Sequence, residues 1–444
     1  MKRRTLLEGV AGSAFAGSLA GCIGVPGILD NTTTTRGTRE ESAWCLDTIL
    51  TVPGGVGDDP DGASLAVENA TTALVGAPGS HSNDGAAYIF RKSQQEWSHQ
   101  ATLRPEPDDR GFGHVVALDG ETALIGSGTK VEKTEHPVGK VYVFQREERN
   151  WQQRAKLKPT ADDFDPENLF GTGVAVDGTT ALIGSQEGES VYVFSQGGDG
   201  WSQQTRLTSF ADDGPPPDEP TALALEGDVA LIGTPQAKKK GAVHVFGREQ
   251  AEGTWTETAT LTGPPSEKYG DFGVEIALDG DTALIGAAEE RSEADQPRIA
   301  DDGGEVYIFR RSSGGWRHQT TVRAPRDEEG AVDADSELGP AGALSGGTAL
   351  VVASEHTTDD RGDSSRGGIF AFERSHDRWR GAVQMRGAWR SAGRIAPGPI
   401  YGEGLIFEDN VVLKGTTALV SLREQKDEQR KEEWNGEVAV LTRT

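Results

Sequence analysis

Basic residues are scarce in this chain. Lys and Arg number 44 against 70 Asp and Glu, a formal net charge of -26. Such a balance repels the nucleic-acid backbone and anionic membrane surfaces, so neither is expected as a partner. Most of the carboxylates are expected to be solvation, in the manner of proteins that stay dispersed in concentrated salt. The eight histidines show no His-x-x-x-His or His-x-x-Glu-His spacing, so the common metal-hydrolase patterns are missing. His99 and His318 each follow a tryptophan by two residues, which marks a repeat position rather than convergence on a metal. No Gly-x-Ser-x-Gly nucleophile elbow and no phosphate-binding P-loop occur. Gly171-Thr172-Gly173 leads into a strand pattern rather than a helix, which removes a dinucleotide fingerprint. Gly362-Asp363-Ser364-Ser365 lacks the glycines a serine-protease motif would need, and Arg361-Gly362-Asp363 is read as a coincidence of composition. No catalytic, metal or cofactor residue is expected from these patterns.

A repeat is what the chain does have. Trp44, Trp97, Trp151, Trp201, Trp255, Trp316 and Trp379 share one frame, each with an apolar residue six positions later. Those partners are Leu50, Leu103, Leu157, Leu207, Leu261, Val322 and Met385. An Ala-Leu-centred run recurs from Ala73, Ala123, Ala181, Ala230, Ala283, Ala349 and Ala418. A second apolar run ends at Phe90, Phe144, Phe194, Phe246, Phe309, Phe372 and Leu441. Short Val/Ile/Leu-rich runs bounded by Gly, Asp, Ser and Pro are strand signals. Four strands per unit, at a period of roughly fifty residues, predict an all-β, seven-bladed β-propeller of four-stranded antiparallel blades.

Asp119-Gly120, Asp177-Gly178 and Asp279-Gly280 mark tight turns between the first two strands, and a type I′ hairpin is expected there. Asn69-Ala70 is the weakest member of the set, because the Ala Cβ resists positive φ. The seventh unit ends on its third strand, Val438 to Leu441, while a lone tryptophan segment, Trp44 to Leu50, precedes the first. The N-terminal strand is therefore expected to complete the last blade and close the ring, removing an exposed sheet edge. The tryptophans are assigned to blade packing.

These residues resemble the FG-GAP repeat proteins. Phe112-Gly113, Phe170-Gly171 and Phe272-Gly273 supply the "FG", with Leu338-Gly339 as a softened copy. Gly76-Ala77-Pro78 is a literal "GAP", with variants at Gly126, Gly184, Gly233 and Gly286. The resemblance runs from Trp44 to the end and implies an integrin-α-like propeller devoted to surface recognition rather than catalysis. Many such blades resemble calcium binders, with an Asp-x-Asp-x-Asp-Gly loop. Here the matching connection is a short turn, so calcium is not expected at Asp279-Gly280-Asp281; Asp58 to Gly62 is an acidic cluster elsewhere in the blade frame.

The first residues read as targeting sequence. Arg3 and Arg4 form a twin-arginine opening, and Leu19-Ala20-Gly21-Cys22 resembles a lipobox. The intervening stretch is too short and Gly-rich for a good membrane span. The expected organisation is a signal peptide over 1–21, a lipid-anchored linker over 22–43 and the propeller over 44–444. With lipid on Cys22, Cys45 has no partner, so no intrachain disulfide is expected. The protein would then sit on the extracellular face of the membrane, as a monomer, in a halophilic archaeon.

Connection lengths carry the functional expectation. Turns between strands one and two, and between three and four, read as short. Connections from strand two to three, such as 287–304 and 354–368, and several blade-to-blade linkers read as long. Loops on a rigid scaffold are where specificity is usually placed. A binding or scaffolding module is expected, recognising a surface protein or glycan through the elaborated face of blades five to seven. The alternative is an exported propeller enzyme acting on polysaccharide, with carboxylates converging near the channel.

Overall fold

The computed structural model describes Gly21–Cys22, 44–53, 64–80, 84–106, 111–127, 139–161, 163, 170–185, 190–208, 222–235, 240–249, 253–264, 271–288, 304–322, 336–359, 362–375, 378–386, 405–425 and 432–443. Seven four-stranded antiparallel blades form a ring. Blade 1 comprises Ser64–Glu68, Thr72–Ala77, Ala86–Ser93 and Glu96–Leu103. Blades 2 to 6 repeat that order and open at Val116, Phe170, Leu223, Glu275 and Ser336. Blade 7 takes Leu405–Lys414, Thr417–Gln425 and Glu432–Arg443 from the C-terminal end and Trp44–Thr51 from the N-terminal end. The first strands of adjacent blades touch all the way round, blade 7 to blade 1 included.

The core confirms closure independently. Seven buried clusters form, each shared between two successive blades. An open row of seven blades would have six such interfaces. The seventh joins Leu50, Val52, Val438 and Val440 of blade 7 to Val75, Tyr88 and Phe90 of blade 1.

The tryptophan frame has a geometry that its spacing conceals. Two residues six apart in an unbroken strand share one face. Here they do not, because the outer strand carries a β-bulge between them. In six blades the extra residue is Asp47, Gln100, Arg154, Gln204, Thr258 or Gln319, each three positions after its tryptophan. The bulge reverses the alternation. Trp151 packs on the blade 1–2 cluster while Leu157 enters the blade 2–3 cluster. Trp201 and Leu207, Trp255 and Leu261, and Trp316 and Val322 divide in the same way. One short motif thus cements two seams. Met385 pairs with Ile369 through the backbone, and its side chain lies outside the described residues.

The FG and GAP elements also meet across seams. The carbonyl oxygen of Gly113 lies 2.1 Å from where a Cβ on Gly76 would stand. Gly171 approaches Gly126 at 2.7 Å and Gly273 approaches Gly233 at 2.0 Å in the same sense. Each FG glycine has φ near +95°, where a side chain would be strained. Blade 7 has Ser421 at the GAP glycine position, and blade 6 has Val352.

One turn expectation needs correction. Asp119 pairs with Thr122, so the two-residue turn is Gly120-Glu121, not Asp119-Gly120. Positive φ falls on the glycine alone in blades 2, 3, 4, 5 and 7, at Gly120, Gly178, Gly227, Gly280 and Gly415. Glycine at the first central position is the type II′ requirement. The aspartate is thereby the last residue of its strand. The connection between strands three and four of blade 2 is also two residues, Glu148-Arg149, because its third strand continues to Glu147. In blade 1 three residues separate Glu68 from Thr72, and Asn69 and Ala70 hold φ of 48° and 53°, so Ala70 does carry the strain expected of it.

Blade 6 departs from expectation as well. Residues 354–368, read as a loop, are a continuation of the sheet. Thr348–Asp359 and Gly362–Ser375 pair without interruption from Thr348↔Glu373 to Asp359↔Gly362. The result is a hairpin arm that runs about 20 Å beyond Ala353 on the elaborated face.

Cys45 also differs from the expected free thiol. It is buried and disulfide-bonded. The sequence has two cysteines, and the backbone of Cys22 pairs in register with that of Cys45 along the outer edge of blade 7.

Candidate functional site

Because first strands converge on the axis, their side chains decide what the channel presents. In those strands Ala66, Ala117, Val176, Leu225, Leu278 and Val412 are half-buried, each packed against a seam cluster. At the trimmed face each first strand ends on the residue opposite the opening of strand two. Around the ring these are Glu68, Asp119, Asp177, Glu226, Asp279, Ser345 and Lys414. Five carboxylates, one hydroxyl and one ammonium thus crown the channel mouth.

The crown is a relay of hydrogen bonds. The Gly178 N–H donates to Asp119 Oδ2 at 2.6 Å, Gly227 to Asp177 Oδ2 at 2.6 Å, and Gly280 to Glu226 Oε2 at 2.6 Å. Gly346 donates to Asp279 Oδ2 at 2.9 Å and Gly415 to Ser345 Oγ at 3.0 Å. Blades 2 to 6 therefore each accept from the turn of the next. A carboxylate that accepts a backbone N–H makes a charge-assisted bond, which accounts for acidic residues where turn chemistry alone would take Asn. The repeated acid before glycine was the sequence signal for this relay, and reading it as hairpin chemistry missed it.

Farther from the axis a second layer ties blades together. Arg248, Arg374 and Arg443 each donate from Nη1 to the threonine opening strand two of the preceding blade, Thr180, Thr282 and Thr348, at 3.1, 2.8 and 2.8 Å. Asp281 pairs with Arg310 and Arg374. The acidic pair around Gly280 is thus engaged in holding seams rather than presented to calcium. Asp58 to Gly62 lies outside the described residues. No group of three or more metal-ligating side chains occurs among the described residues.

One acid stands apart. Glu275, in the first strand of blade 5, is half-buried, and desolvation pushes its carboxyl up to about 7. His99 and His318 occupy equivalent places, as the repeat predicts. Each packs edge-on against the aromatic pair of its own blade and bonds a threonine three residues on, at 3.0 and 3.2 Å.

The tryptophans lie where blade packing requires. Trp44 is 3% exposed in the blade 6–7 cluster. Trp97, Trp151, Trp201, Trp316 and Trp379 are half-buried against seams, and Trp255 is buried. Trp97 Nε1 donates to Asp47 Oδ2 at 3.1 Å and Trp379 Nε1 to Gln319 Oε1 at 3.2 Å. In both cases the acceptor is the bulge residue of the preceding blade. Arg3 and Arg4 lie outside the described residues, as do residues 289–303 of the long blade 5 connection, most of the blade-to-blade linkers and the tip of the blade 6 arm. No helix among the described residues is long and apolar enough to cross a membrane.

The ring of blades defines the class: a seven-bladed β-propeller. Residues 255–309 match the FG-GAP repeat family, from the outer strand of blade 4 through the third strand of blade 5. That unit contains Phe272-Gly273 and Gly286. No curated protein matches the chain in sequence. Solved structures with similar folds include a functionally unknown protein from Desulfotomaculum acetoxidans, 11% identical, with 78% of this chain and 92% of that chain covered and a TM-score of 0.43. The β-propeller domain of the Trilobed protease from Pyrococcus furiosus is 10% identical, covering 85% and 97%, at 0.42. The periplasmic gluconolactonase of Pseudomonas aeruginosa is 13% identical, covering 87% and 95%, at 0.43.

Proposed function

We propose that this protein is an exported, lipid-anchored recognition module whose remaining blades are FG-GAP repeats like that at 255–309. It holds a surface protein or glycan through the elaborated face of blades 5 to 7. The observation that carries this reading is the contrast between faces. On one face most connections are turns of two or three residues, while the other extends the blade 6 hairpin arm from Thr348–Asp359 and Gly362–Ser375. A rigid ring that projects one arm suits capture of a large partner better than turnover of a small one. Export rests on Arg3 and Arg4, and anchoring on Cys22. A sulfur in a disulfide cannot also carry lipid, so anchoring through Cys22 requires Cys45 as a free thiol in the anchored form.

The test replaces residues 354–367 by a two-residue turn and measures capture of envelope proteins and glycans by the purified chain. Capture should fall at least tenfold while the melting transition stays in place; capture equal to wild type would remove the reading. The second reading, an exported enzyme acting on polysaccharide, draws on Glu275, whose raised pKa suits a general acid. Polysaccharide cleavage that disappears in Glu275→Gln would favour it.

A further inference from the structure

Outer sheet edges are guarded in this ring. A bare edge presents a row of backbone N–H and C=O groups ready to pair with another chain, and bulges are one device that blunts it. The outer strand of every blade carries a bulge or register shift. The extended hairpin of blade 7 has one between Leu422 and Arg423. The blade 6 arm has none: its register runs unbroken from Thr348↔Glu373 to Asp359↔Gly362. The outer strand of blade 6 stops pairing with it at Gly368↔Arg386, so residues 362–367 form an edge that no described strand covers. Asp359 and Gly362 close the hairpin with two residues between them, a pair that exchanges both backbone hydrogen bonds. Alternation then turns the N–H and C=O of Asp363, Ser365 and Gly367 outward, at a spacing of about 7 Å.

We propose that residues 362–367 capture a partner protein by strand addition. An extended polypeptide segment of basic or neutral charge pairs its main chain with the outward groups of Asp363, Ser365 and Gly367. Resting on the elaborated-face reading, strand addition narrows its partner from protein or glycan to protein. Donors and acceptors that alternate at strand spacing match another main chain, whereas the hydroxyls of a sugar carry no such period. The segment contains no proline to interrupt the row. A two-stranded ribbon is marginal in water by itself, so a third strand stabilises the arm that receives it. A second copy of this chain is a poorer occupant. The arm carries Glu355, Asp359 and Asp363 against Arg366, within a chain of net charge -26, so two copies repel.

The experiment is fluorescence-polarisation titration of the full chain with a labelled peptide of alternating threonine and lysine. A comparison peptide is N-methylated on every residue, which keeps its charge and removes its backbone donors. Wild type should bind the first peptide and bind the second at least tenfold more weakly. Ser365→Pro removes one outward N–H and spares the internal ladder of the arm, because proline is tolerated where the N–H faces away from the sheet. It should weaken binding about tenfold, the effect of losing one backbone hydrogen bond. Ser365→Val keeps the N–H and should bind like wild type. Hydrogen exchange at Asp359 and Gly362 checks that the arm stays paired, and the methylated peptide tests wild type itself. Equal binding of the two peptides, or of the first peptide by wild type and Ser365→Pro, would overturn the proposal. So would tighter binding of cellohexaose than of the peptide, which points to a glycan, or a concentration-dependent dimer that Ser365→Pro dissolves, which points to a second copy. If replacing 354–367 abolishes partner capture while Ser365→Pro leaves it intact, strand addition falls and the recognition reading stands. If neither change alters capture, both fall.

Discussion

Two seams of the same ring are held in different ways. Between blades 4 and 5, backbone meets backbone. Gly233 lies under Gly273, and the Gly280 N–H reaches Glu226 at 2.6 Å. Between blades 7 and 1, Ser421 occupies the GAP position and the crown bond is lacking. There Asp47, the bulge residue of the N-terminal strand, takes over: Oδ2 accepts from Lys92 Nζ at 2.6 Å and Trp97 Nε1 at 3.1 Å, with Thr442 Oγ1 at 3.5 Å. An internal seam forms from chain that folds locally in order. At the closing seam the clasp residue Asp47 reaches Lys92 and Trp97, 45 and 50 residues along the chain, and also Thr442, 395 residues away within blade 7, so one carboxylate ties the N-terminal strand to blade 1 and to the C-terminal strand. Glycine contacts give close approach; a charged clasp gives register.

This contrast can be broken at its strongest point first. Gly233→Val drives a side chain into the Gly273 carbonyl, with a Cβ placed 2.0 Å from its oxygen, and should cost about 3 kcal/mol of stability. Denaturant midpoints would measure this, and Ser421→Gly in blade 7 should change little beside it. Asp47→Ala should cost about 2 kcal/mol, since it removes a charged acceptor shared by three donors. Hydrogen exchange should then open the outer strand of blade 7 before any strand of blades 4 or 5. Exchange spread evenly round the ring would show that the clasp does not govern the seam.

The smallest effect tests an internal blade by pH. The folded pKa of Glu275 is raised to about 7, above its ordinary value. Below the ordinary value the group is protonated in both states and imposes no penalty. As pH rises toward 7 the unfolded chain ionises first, so the penalty grows, and above 7 it is complete. Glu275→Gln should therefore match wild type near pH 4 and be the more stable of the two above pH 7. A thermal melt series at three pH values reads this out, and a constant difference would remove burial as the cause of the shift.

Much of the architecture was legible because its signals are periodic. The Trp frame, the Ala-Leu runs and the acid-glycine pairs count the blades and place the closing strand. The bulge was not legible, since an even spacing of six in Trp151 to Leu157 says nothing of an added residue at Arg154. The crown was half-legible: Asp119 and Asp177 stood out, and their partners did not, because Gly178 and Gly227 belong to the next blade. Residues 354–368 were misread as loop, since the Ser, Asp and Gly there mask strand pairing that only a facing strand supplies. Cys45 was misjudged because two residues far apart in sequence become neighbours along the edge of blade 7.

The sequence by itself determined the repeat, the all-β class and the number of blades, because apolar alternation and turn residues act within a few positions of one another. Tertiary structure decided which face each tryptophan and its partner occupy and which acids hold neighbouring turns. Those outcomes depend on contacts between blades about fifty residues apart, where bulges and hydrogen-bond geometry, rather than residue type, choose the partner.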